Sequence, residues 1–432
     1  MLKPERLKGM TPERKRAILQ RSMEDIAEVF LEVKGIVDRI RAEGDRVTLE
    51  HYRKYKEDIT PADLKASREE IERAYEAVDP KLIDHLKLAA RNIERFHRAQ
   101  LEREMWSIEV SKGIIAGRLM RPMEAVGAYV PGRRAAYPSS VLMNVIPAKV
   151  AGVEKVIVCT PPDEGMTVNP LTLVAADIAG ADEVFKIGGP WAIASMAFGT
   201  ETVPKVDKIV GPGGIYVTAA KMAVFGHVDI DSPAGPSEIL ILADESADPE
   251  AVAVDLLSQA EHDPDAASVL VTTSPKLAEE VCRLIGEMLG SLPRREIIEA
   301  ALEKHSAVLI ADSMDEAVEF ANEYAAEHLE ILTEDPIGLL PRIKHAGSIF
   351  LGKYAPVPVG DYASGTNHVL PTGRCARMFS GLSVDDFIKK PTFQYLTREG
   401  FESLAEAVMA LAEAEGLPMH ARSVRIRLEK EG

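Results

Sequence analysis

The sequence has few cysteines and lacks any long apolar run. Its three cysteines, Cys159, Cys282 and Cys375, are far apart and odd in number. They fit neither a disulfide framework nor a cysteine-rich zinc motif, so any metal has to be held by His, carboxylate and amide groups. No stretch reaches the roughly 18 apolar residues that span a bilayer, and residues 1–6 lack the apolar core of a secretory signal. We therefore expect a cytoplasmic protein.

The sequence also lacks an excess of positive charge. Its formal net charge is −17, whereas nucleic-acid phosphates are bound by clustered Lys and Arg, so a nucleic-acid partner is excluded. With 46% hydrophobic and 28% charged residues, the composition is that of a globular protein rather than a disordered one. At 432 residues the chain exceeds one ordinary core, and two or more domains are expected.

The hydrophobic pattern changes twice along the chain. Residues 1–112 have mostly helical periodicity, for example at Ile18, Met23 and Ile26. From residue 113 short β-branched runs alternate with helical segments, as in parallel βαβ units. We predict two Rossmann-like α/β domains with mostly parallel sheets, at 113–236 and 237–378. Helical segments precede and follow them, at 1–112 and 379–432.

Two helix ends carry polar residues with possible chemistry. Gln259 and His262 lie three residues apart near the end of a predicted helix, so they share a face and could form half of a zinc shell. A polar helix end with a favourably placed His is the alternative. Glu327 and His328 lie where a helix meets an apolar strand and could act as an acid–base pair. An exposed polar turn is the alternative.

Three further segments contain candidate residues. The loop 360–372 is dense in Gly, Asp, Asn and His, and loops of this kind commonly bear function. His420 lies just past a helix break near the C-terminus and is alone a weak candidate. The Gly-rich loop 210–216 follows a strand and precedes a helix, but it departs from the G-x-G-x-x-G fingerprint of nucleotide sites.

Taken together, these segments resemble the histidinol dehydrogenase family from about residue 113 to the C-terminus. The motifs that carry the resemblance are YVPG at 129–132, YPSSVLM at 137–143, AGPSE at 234–238, QAEHD at 259–263, EHL at 327–329, GDYASGTNHVLPT at 360–372, SGLSVDDF at 380–387 and EGLPMH at 415–420. The resemblance implies zinc- and NAD-dependent oxidation of L-histidinol through histidinal to L-histidine, the last step of histidine biosynthesis.

The resemblance also implies a metal set. The positions that match the family's zinc ligands are Gln259, His262, Asp361 and His420, and the last comes from the partner subunit of a homodimer. In this interpretation 237–378 is the domain with the metal and catalytic residues. Region 113–236 is the domain on the cofactor side, region 1–112 packs on the metal-bearing domain, and segment 379–432 reaches the partner.

Roles for individual side chains follow from the same resemblance. His328 matches the general base that takes the hydroxyl proton, and Glu327 matches the residue that activates water for attack on the aldehyde. The implied substrate-binding residues are Ser237, Gln259, His262, His328, Asp361, His368, Glu415 and His420. Glu415 would pair with the imidazole of the substrate across the dimer interface.

Four positions depart from the family pattern. Trp191 replaces a Gln near the NAD, and Gly214 replaces an Asn in a Gly-Pro-Gly-Asn segment. Arg133-Arg134 stands at a position that is usually Gly, and Ala326 replaces the Pro before the Glu-His pair. Tyr129 remains as a cofactor contact. Trp191 is expected either to stack on a ring of the cofactor or to obstruct it.

Two alternatives stay open at this point. A relative of the family could oxidise another small alcohol, such as a dihydroxypropane sulfonate. A catalytically silent zinc-binding dimer is a second possibility, and the altered cofactor segments favour it. Neither the preference for NAD over NADP nor the choice of zinc over another divalent ion follows from the sequence, since N and O ligands accept several such ions.

Overall fold

The structure, a computed structural model, describes residues 2–21, 26–132, 136–232 and 235–430. Predictions that concern Met23, Arg133, Arg134 and Ala234 lie outside these residues. The strands are β1 Pro4–Arg6, β2 Met105–Ser111, β3 Ile114–Leu119, β4 Arg121–Pro122, β5 Ala125–Tyr129, β6 Lys155–Cys159, β7 Glu183–Phe185, β8 Lys208–Val210, β9 Asp229–Ile230, β10 Glu238–Ala243, β11 Ala267–Thr272, β12 Ala307–Ile310, β13 His328–Leu332, β14 Ser348–Leu351, β15 Ile388–Lys389 and β16 Thr392–Leu396.

The helices follow the same chain order. They are α1 Pro12–Gln20, α2 Ala27–Glu43, α3 Asp45–Tyr52, α4 Arg68–Ala77, α5 Pro80–Arg98, α6 Pro138–Ala151, α7 Pro170–Ala179, α8 Gly189–Phe198, α9 Ile215–Val224, α10 Pro249–Ala260, α11 Pro275–Met288, α12 Arg295–Lys304, α13 Met314–Tyr324, α14 Pro336–Leu339, α15 Val357–Tyr362, α16 Arg398–Ala414 and α17 Pro418–Lys430. The chain forms two compact units, one of residues 1–100 and 123–387 and the other of residues 101–122 and 388–432.

The first unit contains a five-stranded parallel sheet in the order β7-β6-β5-β8-β9. Its strands are short and mostly buried, as expected of a parallel sheet covered on both faces. The chain leaves β5 toward β6 and β7 and then returns to β8 on the other side. The strand order therefore reverses between β5 and β8, and ligands of such sheets bind beside this reversal, at the carboxyl ends of the strands.

A second parallel sheet of the same unit has six strands, in the order β1-β12-β11-β10-β13-β14. Its central strands, β10 and β11, are completely buried. The edge strand β1 comes from the N-terminal region and pairs with β12, from Pro4↔Val308 to Arg6↔Ile310. The sequence pattern did not predict this strand, because three residues offer no readable alternation.

The N-terminal helices α2 and α4 pack against the helices beside the five-stranded sheet. Helix α2 contacts α8 and α9 and buries three apolar residues that share one face of the helix, Val33, Val37 and Ile40. Helix α4 contacts α7 and begins at a capping box, in which the side chain of each of Ser67 and Glu70 accepts a hydrogen bond from the backbone N–H of the other. Helix α1, in contrast, packs its buried Ile18 and Leu19 in the core of the six-stranded sheet.

The second unit contains a three-stranded antiparallel sheet, in the order β16-β3-β2, and the two-stranded pair β15-β4. Helices α16 and α17 pack against each other. Several apolar side chains of α16 stay exposed, namely Leu404, Val408 and Leu411. They recur at spacings of four and three residues, so they form one apolar stripe on the helix.

The predicted fold class, α/β with mostly parallel sheets, is confirmed. The sequence pattern predicts strands at 208–210 and 238–243 and a helix at 170–179, and β8, β10 and α7 have these bounds. The domain boundaries proposed from the sequence stay a prediction. Among the described residues, no helix combines the length and the apolar character needed to cross a bilayer.

Candidate functional site

The candidate residues meet at a cavity of about 360 Å³ within the first unit. The cavity lies beside the carboxyl ends of β5 and β8 and the amino ends of β10 and β13. Seven of the predicted site residues line it: Gly214, Ser237, His262, Glu327, His328, Asp361 and His368. The five-stranded sheet thus contributes the strand ends that commonly bear ligand sites, whereas the six-stranded sheet contributes the opposite ends.

His328 occupies the first position of β13. Helix α13 ends at Tyr324, and the next residue, Ala325, has a left-handed backbone with φ 52°, which turns the chain sharply into the strand. His328 is 4% exposed, and its Nδ1 lies 3.1 Å from the carbonyl oxygen of Glu238. A carbonyl oxygen can only accept, so Nδ1 carries a proton and donates it. In the neutral ring Nε2 is therefore the basic nitrogen.

Glu327 precedes the strand and is also 4% exposed. Its Oε2 accepts a hydrogen bond of 2.8 Å from the backbone N–H of Glu238 and lies 3.5 Å from Nδ1 of His328. Burial raises the pKa of Glu327 to about 7, although the neighbouring His328 ring opposes the shift. A carboxyl group with such a pKa exchanges a proton near neutral pH, as a general acid or base must.

Asp361 and His368 extend the site. Asp361 lies in α15, and its Oδ1 is 3.5 Å from Nε2 of His328, while its carbonyl oxygen accepts a hydrogen bond of 2.9 Å from Nδ1 of His368. The other ring nitrogen of His368 lies 3.2 Å from Oγ of Ser140. Burial lowers the pKa of His328, but the charges of Glu327 and Asp361 outweigh burial and raise it to about 9.

The predicted metal ligands Gln259 and His262 come from the end of α10. Gln259 is 3% exposed, and its amide Nε2 has no hydrogen-bond partner among the described residues, so this buried donor is open to an acceptor atom of a ligand. Its amide oxygen is the atom that could bind a metal ion. His262 and Asp361 line the same cavity. These nitrogen and oxygen donors fit a zinc ion.

No group of three His, Cys, Asp or Glu side chains spaced for a metal ion occurs in residues 2–21, 26–132, 136–232 and 235–430. Of the four predicted metal ligands, two are His or Asp side chains that line the cavity, His262 and Asp361. The third is an amide, and the fourth, His420, belongs to the second unit, as does Glu415. Their approach to the cavity stays a prediction.

Gly214 lies at the start of α9, in the Gly-rich loop that follows β8. Glycine has no side chain to cap the helix, and none of the side chains that the structure describes does so. The first backbone N–H groups of α9 can therefore bind an anionic ligand. The loop is held in place by Asp231, which accepts a hydrogen bond of 2.7 Å from the N–H of Gly211, and by Lys221, which donates one of 2.8 Å to the Gly211 carbonyl. These two hydrogen bonds tether the loop at Gly211, three residues before the start of α9.

Tyr129 and Trp191 line a neighbouring cavity of about 270 Å³. The Tyr129 hydroxyl accepts a hydrogen bond of 3.1 Å from the N–H of Gly189, at the start of α8. The Trp191 ring stacks on His51 of α3, with ring centroids 3.6 Å apart and an interplanar angle of 26°. One face of the indole thus already contacts an aromatic ring of this chain.

Sequence reasoning assigned no role to four residues that the structure connects with the site. Ser140 contacts His368, Glu238 contacts both Glu327 and His328, and His51 stacks on Trp191. Ser140 and Glu238 fall inside the family motifs YPSSVLM and AGPSE, which was a usable signal. His51, and Arg21, which pairs with Glu238, lie in charged helical segments that carry no such signal.

Several known proteins similar to this chain are histidinol dehydrogenases. A family model described as histidinol dehydrogenase matches residues 19–428. A histidinol dehydrogenase of Methanosarcina mazei is 54% identical over 402 residues, which are 93% of this chain and 92% of the relative. One of Methanothermobacter thermautotrophicus is 51% identical over 411 residues, 95% of this chain and 96% of the relative. The crystal structure of histidinol dehydrogenase from Elizabethkingia anophelis has a TM-score of 0.91 and 41% identity, covering 98% of this chain and 97% of that chain.

Proposed function

This chain belongs to the histidinol dehydrogenase family of NAD-dependent oxidoreductases, and from that premise we propose that it oxidises L-histidinol to L-histidine. The alcohol loses one hydride and one proton to give the aldehyde histidinal. Water adds to the aldehyde, and the hydrate loses a second hydride and two protons to give the carboxylate. Each histidinol therefore consumes one water and delivers two hydrides to two NAD⁺.

The hydrogen bond from His328 Nδ1 to the Glu238 carbonyl is the observation that carries this proposal. It leaves Nε2 as the basic nitrogen of the neutral ring, and the side chain lines the cavity. Nε2 lies 3.5 Å from Oδ1 of Asp361 and makes no hydrogen bond within the described part of the chain. A base that is oriented through its other ring nitrogen is what proton abstraction from the alcohol requires. Nε2 of His328 would take the hydroxyl proton as the hydride leaves.

Glu327 would act in the second oxidation. Its carboxylate is oriented by the Glu238 N–H at 2.8 Å and lines the same cavity as His328. With a pKa raised to about 7 by burial, the carboxylate is a better proton acceptor than an ordinary glutamate. It would remove a proton from the water that attacks the aldehyde carbon.

Gln259, His262, Asp361 and a partner subunit's His420 would hold a zinc ion. When bound, zinc supplies a Lewis acid that orients the imidazole and amino nitrogens of histidinol. It takes no part in the redox chemistry itself, because its d-shell is filled. Ser237 and His368 line the cavity and would contact the substrate. Glu415 would pair with its imidazole from the partner subunit.

NAD would lie between the N-terminal ends of α8 and α9, each of which faces one of the two cavities. When bound, it supplies the hydride acceptor. The uncapped N-terminus of α9 at Gly214 would receive a phosphate of the cofactor, and Tyr129 and Trp191 would contact it in the neighbouring cavity. Trp191 presents a ring where the family has an amide, so the contact would be stacking rather than a hydrogen bond.

The second unit supports a homodimer. Leu404, Val408 and Leu411 form an exposed apolar stripe on α16, and Met419, next to His420, is 70% exposed. Apolar faces of this kind are commonly covered by another subunit. A dimer would also bring His420 and Glu415 to the cavity of the other protomer. Cytoplasmic localisation stays a prediction of the sequence.

The test is NADH formation by purified, zinc-loaded protein with L-histidinol, and in parallel with a dihydroxypropane sulfonate. We expect two NADH per histidinol, loss of activity after chelation of the metal and its return with zinc. His328→Asn should lower the rate by about 10²–10⁴-fold, the usual contribution of a general base, with the bound zinc retained.

Two results would contradict the proposal. NADH formation with the sulfonate alone would assign the site to another small alcohol. No NADH formation with either alcohol, in a protein that binds zinc and forms dimers, would indicate a zinc-binding dimer without catalytic activity.

A further inference from the structure

Arg21 follows the last residue of α1, far from the cavity in sequence but not in space. Its guanidinium forms an ion pair with the carboxylate of Glu238, and both side chains are only 2% exposed. Nη1 donates hydrogen bonds of 3.1 Å to the Leu19 carbonyl and 2.9 Å to the Tyr324 carbonyl. The guanidinium also lies over the Tyr324 ring, 3.6 Å from its centroid. Its position is therefore fixed from several sides.

Two of these contacts are at the C-terminal end of α13, the helix that leads directly into the catalytic pair. Besides the Tyr324 carbonyl, the guanidinium contacts the carbonyl of Ala325 at 3.4 Å. A cation at a helix C-terminus stabilises the unpaired carbonyls and the negative end of the helix dipole. Arg21 thus helps to hold the turn from which Glu327 and His328 emerge.

Glu238 contacts both catalytic residues through three different groups. Its N–H donates to Oε2 of Glu327 at 2.8 Å, its carbonyl accepts from Nδ1 of His328 at 3.1 Å, and its carboxylate accepts from the N–H of Glu327 at 3.1 Å. A small rotation of Glu238 would move both catalytic side chains together.

The carboxylate of Glu238 is buried beside that of Glu327. Two buried carboxylates repel each other, and a buried charge without a partner disturbs its surroundings strongly. The guanidinium of Arg21 neutralises Glu238 and fixes its orientation through the ion pair. Without Arg21, the group that orients the catalytic pair would itself be unpaired.

We propose that Arg21 is a positioning residue of the reaction: through Glu238 it holds Glu327 and His328 in their reacting geometry. The N-terminal region, which contributes no residue to the predicted metal, substrate or catalytic set, then takes part in catalysis. This inference rests on the proposed function, in which Glu327 and His328 transfer the protons.

The test compares Arg21→Met with Lys186→Met in the zinc-loaded, full-length enzyme. Lys186 forms another, partly buried ion pair, with Glu70 at 2.6 Å, and neither Arg21 nor Lys186 is among the residues that line the catalytic cavity. Displacement of reacting groups by about 1 Å can lower a rate about 10²-fold. We expect Arg21→Met to lower kcat about 10- to 100-fold, with the KM for histidinol and the zinc content within about twofold of wild type.

Two further variants separate positioning from folding. Arg21→Lys keeps the charge but not the planar fork of donors, and we expect it to recover part of kcat. In the double variant Arg21→Met with Glu238→Gln, the uncharged amide no longer needs a charged partner and the backbone contacts of residue 238 remain. We expect the double variant to have a higher kcat than Arg21→Met. If Arg21→Met does not fold, Arg21→Lys and the double variant are compared with wild type instead, and both should have a kcat below it.

The outcomes distinguish the inference from the proposed function. Wild-type protein that forms no NADH with histidinol would overturn the proposed function itself. Active wild-type protein together with an Arg21→Met kcat within twofold of it would overturn only the role of Arg21. That role would also be overturned if Lys186→Met loses as much kcat as Arg21→Met at equal thermal stability, or if neither Arg21→Lys nor the double variant recovers any kcat.

Discussion

The substitution Gly211→Ala tests whether the Gly-rich loop after β8 needs a residue without a side chain. Gly211 has φ +114°, a backbone conformation that residues with a side chain rarely adopt. A Cβ at this position would overlap the carbonyl oxygen of Tyr129 and lie 3.0 Å from its carbonyl carbon. Both clashing atoms belong to the backbone at the end of β5, so they cannot move aside as a flexible side chain would.

The expected magnitude follows from two contributions. A side chain forced into this part of conformational space costs about 1–3 kcal/mol. Overpacking of a closely packed contact costs a further 1–3 kcal/mol or so. Together they should lower the free energy of unfolding by about 2–6 kcal/mol, which is a large part of the 5–15 kcal/mol or so that ordinary proteins have.

Gly214→Ala is the matched control, three residues away in the same loop. Gly214 has φ −70°, and a Cβ there would meet no atom within 4 Å. Ala is a poorer N-cap than Gly by several tenths of a kcal/mol, whereas the lower entropy of its unfolded chain stabilises by about as much. The free energy of unfolding should change by less than about 0.5 kcal/mol. The added methyl stands where we propose a phosphate of NAD, so the affinity for NAD should fall.

Urea unfolding followed by circular dichroism, and titration with NAD followed by tryptophan fluorescence, measure the two effects. Gly211→Ala should shift the urea midpoint down by about 1–2 M, given a dependence on urea near 3 kcal/mol per M. Gly214→Ala should keep the wild-type midpoint and bind NAD more weakly. Equal midpoints for Gly211→Ala and wild type would refute the steric argument, and unchanged NAD affinity in Gly214→Ala would refute the placement of the cofactor.

Three further predictions concern single side chains. Glu327→Gln keeps an acceptor for the Glu238 N–H but removes the base, so aldehyde oxidation should slow by about 10²–10⁴-fold. Product analysis should then give nearly one NADH per histidinol. Two NADH at the wild-type rate would exclude the role of Glu327. Burial, and then the charge of Asp255, raise the pKa of Glu330 above its ordinary value of 4.5. The folded state therefore holds this proton more tightly than the unfolded state, and the protein loses stability as the pH rises from 4.5 through the raised pKa. The melting temperature of Glu330→Gln, whose side chain stays neutral, should therefore fall less toward alkaline pH than that of wild type. Equal falls in the two proteins would contradict the predicted direction. Trp191→Gln should weaken NAD binding, because it removes the proposed stacking contact. Stronger binding would show that the indole obstructs the cofactor, and an unchanged dissociation constant would remove Trp191 from the cofactor site.

Local patterns in the sequence were sufficient for much of the fold. The strand Glu238–Ala243 is a continuous apolar run after its first residue, and the helix Pro170–Ala179 starts at Asn169 with Pro at its first position and ends before Gly180. Such segments carry their own start and stop signals, so their bounds could be predicted. The short strand Pro4–Arg6 carries none. It exists because the exposed edge of β12 supplies its hydrogen bonds.

The sequence by itself also determined the family, and with it the residue types of the site, because eight motifs occur in a specific order. Only the tertiary structure decided which side chains hold the catalytic pair and which ring meets Trp191. Arg21 and Glu238 are 217 residues apart, and His51 and Trp191 come from different helices. Contacts of this kind depend on how strands and helices pack rather than on local propensity, so periodicity and spacing within one chain cannot show them. The apolar pattern specifies the sheets, and the packing of those sheets places these distant polar groups against each other.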